Sequence, residues 1–471
     1  MKRIVVAFVA VTAMVASACG ASGGSAKGGS EQEGSTTTAA TGGSSESAFG
    51  DLAKVCGEGN FKIKADEAGK GTDKLYLAVA NDRSAQIKPG LNKVLYDASV
   101  AFAGWCNENG GVGGLPIEII DMDAGLFNVE PAMTTACKDA FAMVGGGLVQ
   151  DSLEFSGKEG SDFHKCGMID IPGFAVSPEK TDSNGQVQPI PNPATSMGTG
   201  YFSAFKKLFP AETKSWGIFN ADLPSLDPQT RKYIAAAKAV DVPMAGKVSF
   251  PPIGITDFTP YVQKFLELKS PSFTFVGEVE MLTGVLAGLN QQKWNGRPLV
   301  ETNMYDQKLL AEAGAEGTVI RMTYHPLEEA DKWPGTKKYL DINEKYNKGG
   351  ETSGLGIQST SAWLLFVTAA NACGEKNGGE LTRDCILKEA AAVEKWTGGG
   401  LHGEQNPEPA KTAKASPCSM LLEVKGGKFE RLFPKLDSAD DDGEGFSCPA
   451  DSVIEVPENA GLGKVDPDRP I

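Results

Sequence analysis

From Lys74 onward, short apolar runs alternate with segments whose apolar residues recur at helical spacing, and this alternation is the strongest constraint on the fold. Two parallel strands cannot be joined by a tight turn; they need a crossover of a dozen or more residues, usually a helix. KLYLAVAN (Lys74–Asn81) reads as a buried strand, and Gly90–Asn109 as a helix with Leu91, Val94, Leu95, Ala98, Phe102 and Trp105 on one stripe. The strand Ile117–Asp121, a helix over Glu130–Phe141, the strand AMVGGG, a helical stretch over Leu153–Lys165 and the strand GMIDIPG continue the pattern. They predict one open, mostly parallel sheet. A second set begins near Tyr201 with helix YFSAFKKLF, strand SWGIFN, a helix opened by Asp227 as cap and Pro228 as first residue, and strand GKVSF. It continues with a helix in TDFTPYVQKFLELKS capped by Thr256 or Asp257, strand SFTFVG, helix EVEMLTGVLAGL and strand PLVETN. From Thr336 to Trp396 successive helices are expected with no strand between them, and SMLLEVKGGKFERLF then reads as a hairpin turning at Gly426 and Gly427.

The glycine-dense stretch NENGGVGGLPIEIIDMDAG (Asn107–Gly125) tests whether this architecture carries a phosphate site. Phosphate loops place their glycines after a strand and at the start of a helix, where backbone N–H groups and the helix dipole face the anion. Here they follow a helix and precede a strand, so Gly110 and Gly111 read as a helix stop. Gly145–Gly147 read as a close approach of a strand end to a ligand or a helix. Asp121 and Asp123 end a strand but lack the further ligands that a metal needs, and DSADDDGEG lacks the oxygen spacing and closing Glu of a calcium loop. No metal and no cofactor is expected.

The start of the chain reads as an export signal: Lys2 and Arg3 precede the apolar run Ile4–Val15, then Ala16, Ser17, Ala18 and Cys19. The three small residues before Cys19 resemble a bacterial lipobox, which implies acylation of Cys19. The Gly-, Ser-, Thr- and Ala-rich stretch that follows, to Gly50, has no apolar face to bury and reads as a flexible leash. The chain has 9 cysteines, so setting Cys19 aside leaves an even number in an oxidising compartment. Their spacing suggests sequential disulfides, Cys56 with Cys106, Cys137 with Cys166, Cys373 with Cys385 and Cys418 with Cys448, although roughly 105 connectivities are open. A formal net charge of −15 argues against nucleic-acid binding. Catalysis finds little support: the chain has 3 histidines, His164, His325 and His402, none beside a nucleophile, and the GxSxG, HExxH and P-loop motifs are missing.

The leash followed by a helix ending in NENGGVGGLPIEIIDMDAG, then AMVGGG and GMIDIPGFAVSP, resembles the type I extracytoplasmic solute-binding proteins of ABC importers, the class of the leucine/isoleucine/valine receptors. The resemblance runs from about Lys74 to Phe433. It implies two Rossmann-like α/β lobes with parallel-sheet cores joined by three crossings, near Asn192, Thr323 and Leu401. The implied organisation is a signal peptide over 1–18, an anchored linker over 19–50, an N-terminal lobe over 51–191 plus 324–400, a C-terminal lobe over 192–323 plus 401–447, and a tail over 448–471. It also implies a monomer on the outer face of the cell membrane, held by the lipid anchor, that passes a small solute to permease subunits. A lipid-anchored sensor of the same fold is the alternative, and a secreted hydrolase using Asp123 and Glu278 a more remote one.

In facing sheets of this kind the ligand lies outside the carboxyl ends of the strands. The candidate contacts are therefore strand-end residues: Leu148, Val149, Gln150, Ser152, Phe174, Ala175 and Val176 in the first lobe, and Asn220, Asp222, Leu223, Glu278, Val279, Thr302 and Asn303 in the second, with Tyr324 at a crossing. Amino-acid receptors of the class hold the ligand carboxylate with Ser and Thr and the ammonium with a second-lobe acid. Here VQDS and FAV offer only Ser152 as a hydroxyl, and TNM stands where the acid belongs, with Glu278 and Glu301 nearby. The expected solute is small, polar or partly apolar, and not a simple branched-chain amino acid.

Overall fold

The computed structural model describes residues 46–152, 160–252 and 254–457; the export signal, Cys19, most of the leash and the first part of the Leu153–Lys165 stretch lie outside them. In chain order the strands are β1 (Lys62–Ile63), β2 (Leu75–Asn81), β3 (Ile117–Asp123), β4 (Ala142–Val144), β5 (Asp170–Ile171), β6 (Ser196–Gly198), β7 (Trp216–Ala221) and β8 (Met244–Phe250). They continue with β9 (Ser272–Val276), β10 (Arg297–Val300), β11 (Val319–Met322), β12 (Glu380–Leu381), β13 (Met420–Lys425), β14 (Lys428–Phe433) and β15 (Val453–Glu455). One sheet has the order β3-β2-β4-β5, all parallel. The other runs β14-β13-β11-β10-β9-β7-β8, parallel from β11 to β8 and finished on one edge by the antiparallel hairpin β13–β14. The molecule is thus a bilobal α/β protein with two parallel-sheet cores.

All residues of β2 are buried, as expected for a parallel strand covered on both faces. The helix Lys93–Glu108 presents Val94, Leu95, Ala98, Phe102 and Trp105 inward. Phe102 stacks on Trp363 of the long helix Gly354–Lys376 at 5.5 Å, and the Trp363 indole donates to Ser99 Oγ at 2.8 Å. That contact docks the helices of the 334–391 stretch onto the first sheet.

The glycine turn ends its helix as expected: Gly111, at φ 75°, donates from N to Cys106 O at 2.9 Å. It also receives the lead-in segment, for a Cβ on Gly113 would lie 2.1 Å from the Phe61 ring. Cys56–Cys106 clamps the same junction, and the structure joins the other cysteines as Cys137–Cys166, Cys373–Cys385 and Cys418–Cys448. In Gly145–Gly147 the crowding is with protein: Cβ atoms would meet Trp363 Nε1 at 2.3 Å from Gly145 and Ala80 N at 2.3 Å from Gly146.

Local expectations need correction in three places. A strand does interrupt the helical stretch, since β12 pairs in parallel with β1 through Lys62–Glu380 and Ile63–Leu381. Asp227 is the first residue of its helix, not the cap, because a 3-10 turn over Pro224–Leu226 already supplies the entry. Neither Thr256 nor Asp257 is the cap residue of the helix Thr259–Glu267, although Asp257 accepts from Thr259 N at 2.8 Å. At the carboxyl end, β15 pairs antiparallel with β6. The acidic DSADDDGEG loop satisfies its own backbone: Asp441 accepts from Asp437, Gly443 and Gly445 N, and Asp442 from Glu444 and Phe446 N. Among the described residues no helix is long and apolar enough to cross a membrane.

Candidate ligand-binding cleft

The loops after β4 and β5 in the first lobe are fixed by a buried carboxylate. Asp151 accepts from Val176 N at 2.7 Å and Ser177 N at 2.9 Å, while Ser177 Oγ donates to Asp151 O at 2.9 Å. Burial pushes the Asp151 carboxyl up to about 6 in spite of those donors. Asp82, also buried, accepts from Leu126 N at 2.8 Å and Val149 N at 2.9 Å, so it ties the loops after β2, β3 and β4 together. Burial raises this carboxyl too. Two short acids thus set the first-lobe rim through backbone donors.

Opposite this rim stand the ends of β9, β10 and β11. Asn303 Nδ2 donates to Gly277 O at 3.1 Å, and Arg321 Nη1 donates to Glu301 Oε2 at 2.9 Å. The Arg321 guanidinium also lies over the Tyr201 ring, 4.8 Å from its centroid. Tyr324 donates to Gln358 Oε1 at 2.6 Å, and Lys232 Nζ donates to Asn192 Oδ1 at 2.6 Å and Pro193 O at 2.9 Å. Burial, then the nearby Arg321 charge, lowers the Lys232 ammonium to about 7.

Between the two sets of loops lies a cavity of about 260 Å³. Of the sequence candidates, Val149, Phe174, Ala175, Val176, Glu278, Thr302, Asn303 and Tyr324 line it. A second hollow of about 310 Å³ adjoins it toward solvent, shares Val149, Leu226, Gly277 and Glu278 with it, and is lined also by Gln150 and Leu223. Across this outer hollow Lys88 of the first lobe pairs with Glu278 at 2.7 Å and Glu280 at 2.9 Å. The two lobes therefore touch at the mouth of the cleft.

The other candidates lie elsewhere. Leu148 turns into the core of the first lobe, and Val279 is buried at the start of its helix. Asn220 is occupied by Thr230 and by Ala221 O, and Ser152 and Asp222 line neither hollow. Glu301, noted in the sequence as an acid beside TNM, lines the cavity, and the structure adds Arg321, Tyr233, Gln229 and Gln358 as polar lining groups. Of these, only Arg321 left a signal in the sequence, as the one charge in the otherwise apolar strand VIRM.

Neither of the carboxylates considered for hydrolysis is arranged for it. Asp123 accepts from Ser84 N and Gly125 N in its own turn, and Glu278 is paired with Lys88. His325 stacks on Trp333 at 3.8 Å, and His402 contacts Ser361 Oγ through Nε2 at 2.8 Å. Both line a separate hollow of about 1050 Å³ near the crossings, outside the strand ends.

A family model described as "Periplasmic binding protein" matches residues 161–428. Among solved structures, the chain is similar to the leucine-binding protein LivK of Thermotoga maritima, with TM-score 0.62 at 15% identity over 76% of this chain and 97% of that one. It is similar to LivJ of Streptococcus pneumoniae, solved with isoleucine, with TM-score 0.58 at 14% identity over 76% of this chain and 98% of that one. It is also similar to a fatty acid ABC transporter substrate-binding protein of Thermomonospora curvata, with TM-score 0.60 at 14% identity over 83% of this chain and 97% of that one. A search of curated proteins found no match.

Proposed function

Because this chain belongs to the periplasmic binding protein family, we propose that it captures a small solute between its two lobes and delivers it to the permease of an ABC importer. It is a type I extracytoplasmic solute-binding protein, of a non-catalytic, transport-associated fold, and an exported location is consistent with that family. The observation that supports capture is the cavity itself, which is walled by strand-end loops of both sheets and bridged at its mouth by Lys88 and Glu278. A ligand there contacts both lobes at once, so its binding energy favours the closed arrangement over the open one. In this reading the lobes run over 51–191 plus 324–400 and over 192–323 plus 401–447, and hinge at their three crossings. Acylated Cys19 and the leash keep the receptor at the outer face of the membrane.

The similar structures include a leucine-binding protein, one solved with isoleucine and a fatty acid ABC transporter substrate-binding protein, so the fold accepts more than one solute chemistry. The lining of this cleft disfavours a simple amino acid. The two carboxylates of the inner cavity, Glu278 and Glu301, each already face a cation, Lys88 and Arg321, so an amino acid's ammonium group would have to compete with it. Native mass spectrometry of the purified protein is expected to show a retained small molecule. Deleting the gene is expected to abolish uptake of that molecule by whole cells. Tight calorimetric binding of leucine, isoleucine or valine would overturn the exclusion of amino acids; undiminished uptake after deletion would overturn the transport role.

A further inference from the structure

The cleft is chemically graded from floor to mouth. On the floor, Arg321 has five N–H donors, and its side chain keeps 17% of its surface open although it is paired with Glu301. Its lining position makes the guanidinium a charged group that a ligand can reach, and guanidinium groups match planar carboxylates. Toward the mouth the walls turn apolar. Ile87 and Phe127 of the first lobe face Leu223, Ile255, Phe258 and Met281 of the second around the outer hollow. Ile87 is 46% and Phe127 65% exposed, and together around one hollow they form an apolar patch of the kind that marks a binding site. The inner and outer hollows adjoin, with Val149 and Leu226 lining both.

We propose that the solute is an amphipathic monocarboxylate, with its carboxylate on Arg321 at the floor and its hydrocarbon chain running outward between Ile87, Phe127 and the apolar residues of the second lobe. This rests on the receptor reading above and names its ligand class. The chain covers the exposed aromatic and aliphatic surface of both lobes, and the Lys88 pair with Glu278 and Glu280 lies across it at the mouth. Neither head nor tail is sufficient alone. A short acid leaves the outer walls wet, and an alcohol of equal length brings no carboxylate to the Arg321 N–H groups beyond the Nη1 that donates to Glu301.

The test is equilibrium dialysis of the full chain, its disulfides formed, against butanoate, octanoate and dodecanoate below their aggregation concentrations, with dodecan-1-ol and leucine as controls. Affinity is expected to rise roughly fourfold for each methylene that enters the cleft. Dodecan-1-ol is expected to bind at least tenfold more weakly than dodecanoate. Phe127→Ser, at an exposed position that leaves the core intact, is expected to weaken dodecanoate about fivefold and leave butanoate unchanged. Arg321→Met is expected to erase the preference for dodecanoate over dodecan-1-ol, and Arg321→Lys to restore part of it. If Arg321→Met does not fold, the comparison of acid with alcohol on the unmodified chain decides the same point. Equal affinity for butanoate and dodecanoate, or for dodecanoate and dodecan-1-ol, overturns the proposal. Preferential binding of leucine overturns it as well but leaves the receptor reading intact. Should nothing in this panel bind, the proposal falls; should the purified chain also carry no small molecule, the receptor reading falls with it.

Discussion

Arg321 and Glu301 form a buried pair, and their value depends on both being present. Removing one charge from such a pair leaves the other desolvated and uncompensated, at a typical cost of about 3–5 kcal/mol. Arg321→Met is therefore expected to lower unfolding free energy by that order in denaturant titrations. Combining it with Glu301→Gln should recover much of the loss. Gly146 is a second sensitive residue, because an added Cβ would lie 2.3 Å from Ala80 N in the neighbouring strand. Gly146→Ala is expected to cost about 3 kcal/mol, the upper end of what overpacking does in a filled core, as read from the same titrations. At this scale the sequence was informative about position and poor about direction. Val149 and Phe174–Val176 follow strands and do line the cavity, yet Leu148 beside them points into the core. Asn220 also ends a strand, but Thr230 of the next helix satisfies its amide, a pairing across ten residues that no local pattern reveals.

At the scale of elements, the alternation of strands and helices carried nearly all of the architecture, because a parallel sheet leaves little choice of connection. The hairpin β13–β14 and the glycine helix stop were equally legible, each being set by residues next to one another in sequence. What escaped was non-local. The short β12 exists only because β1, far upstream, lies beside it, and Arg321 acquires its role from Glu301, just past the end of the adjacent strand β10. The disulfide Cys56–Cys106 is a non-local link that the cysteine spacing did suggest, and it fastens the lead-in to the end of the helix Lys93–Glu108 across a sequence separation of 50. Replacing both cysteines by serine is expected to cost about 2–5 kcal/mol, measured as a drop in unfolding free energy. Between the lobes, the Lys88 ion pair with Glu278 and Glu280 is partly exposed, so Lys88→Ala is expected to shift the open–closed balance only two- to fivefold. Interlobe fluorescence energy transfer in low and high salt should show this shift, and the effect should shrink as salt rises.

The molecule as a whole is held near neutral pH by groups buried in the form they have there. Burial depresses His402 to about 4 and His325 to about 2, below the value near 6.5 of an unfolded chain. An unfolded chain therefore takes up these protons first, and the stability that the two histidines lend above pH 6.5 is lost as pH falls. Asp151 acts in the opposite sense. Its folded value of about 6 lies above that of an unfolded aspartate, so it adds stability as pH falls from 6 toward 4. His402→Gln is expected to flatten the dependence of unfolding free energy on pH between about 6 and 4.5 by roughly 1.4 kcal/mol per pH unit, and Asp151→Asn to steepen it by a similar amount. Chemical denaturation at a series of pH values measures both slopes.

The pairing of β15 with β6 has a consequence for how the protein ages and how it is handled. Val456 N donates to Thr195 O at 2.7 Å and Thr199 N to Ser452 O at 2.6 Å, so the β15 stretch splints residues 195–199 around β6. Proteolytic loss of β15, or a bulky group inserted beside it, would strip β6 of its pairing partner, so damage more than 250 residues downstream would surface as a loosened segment just ahead of the helix Gly200–Leu208.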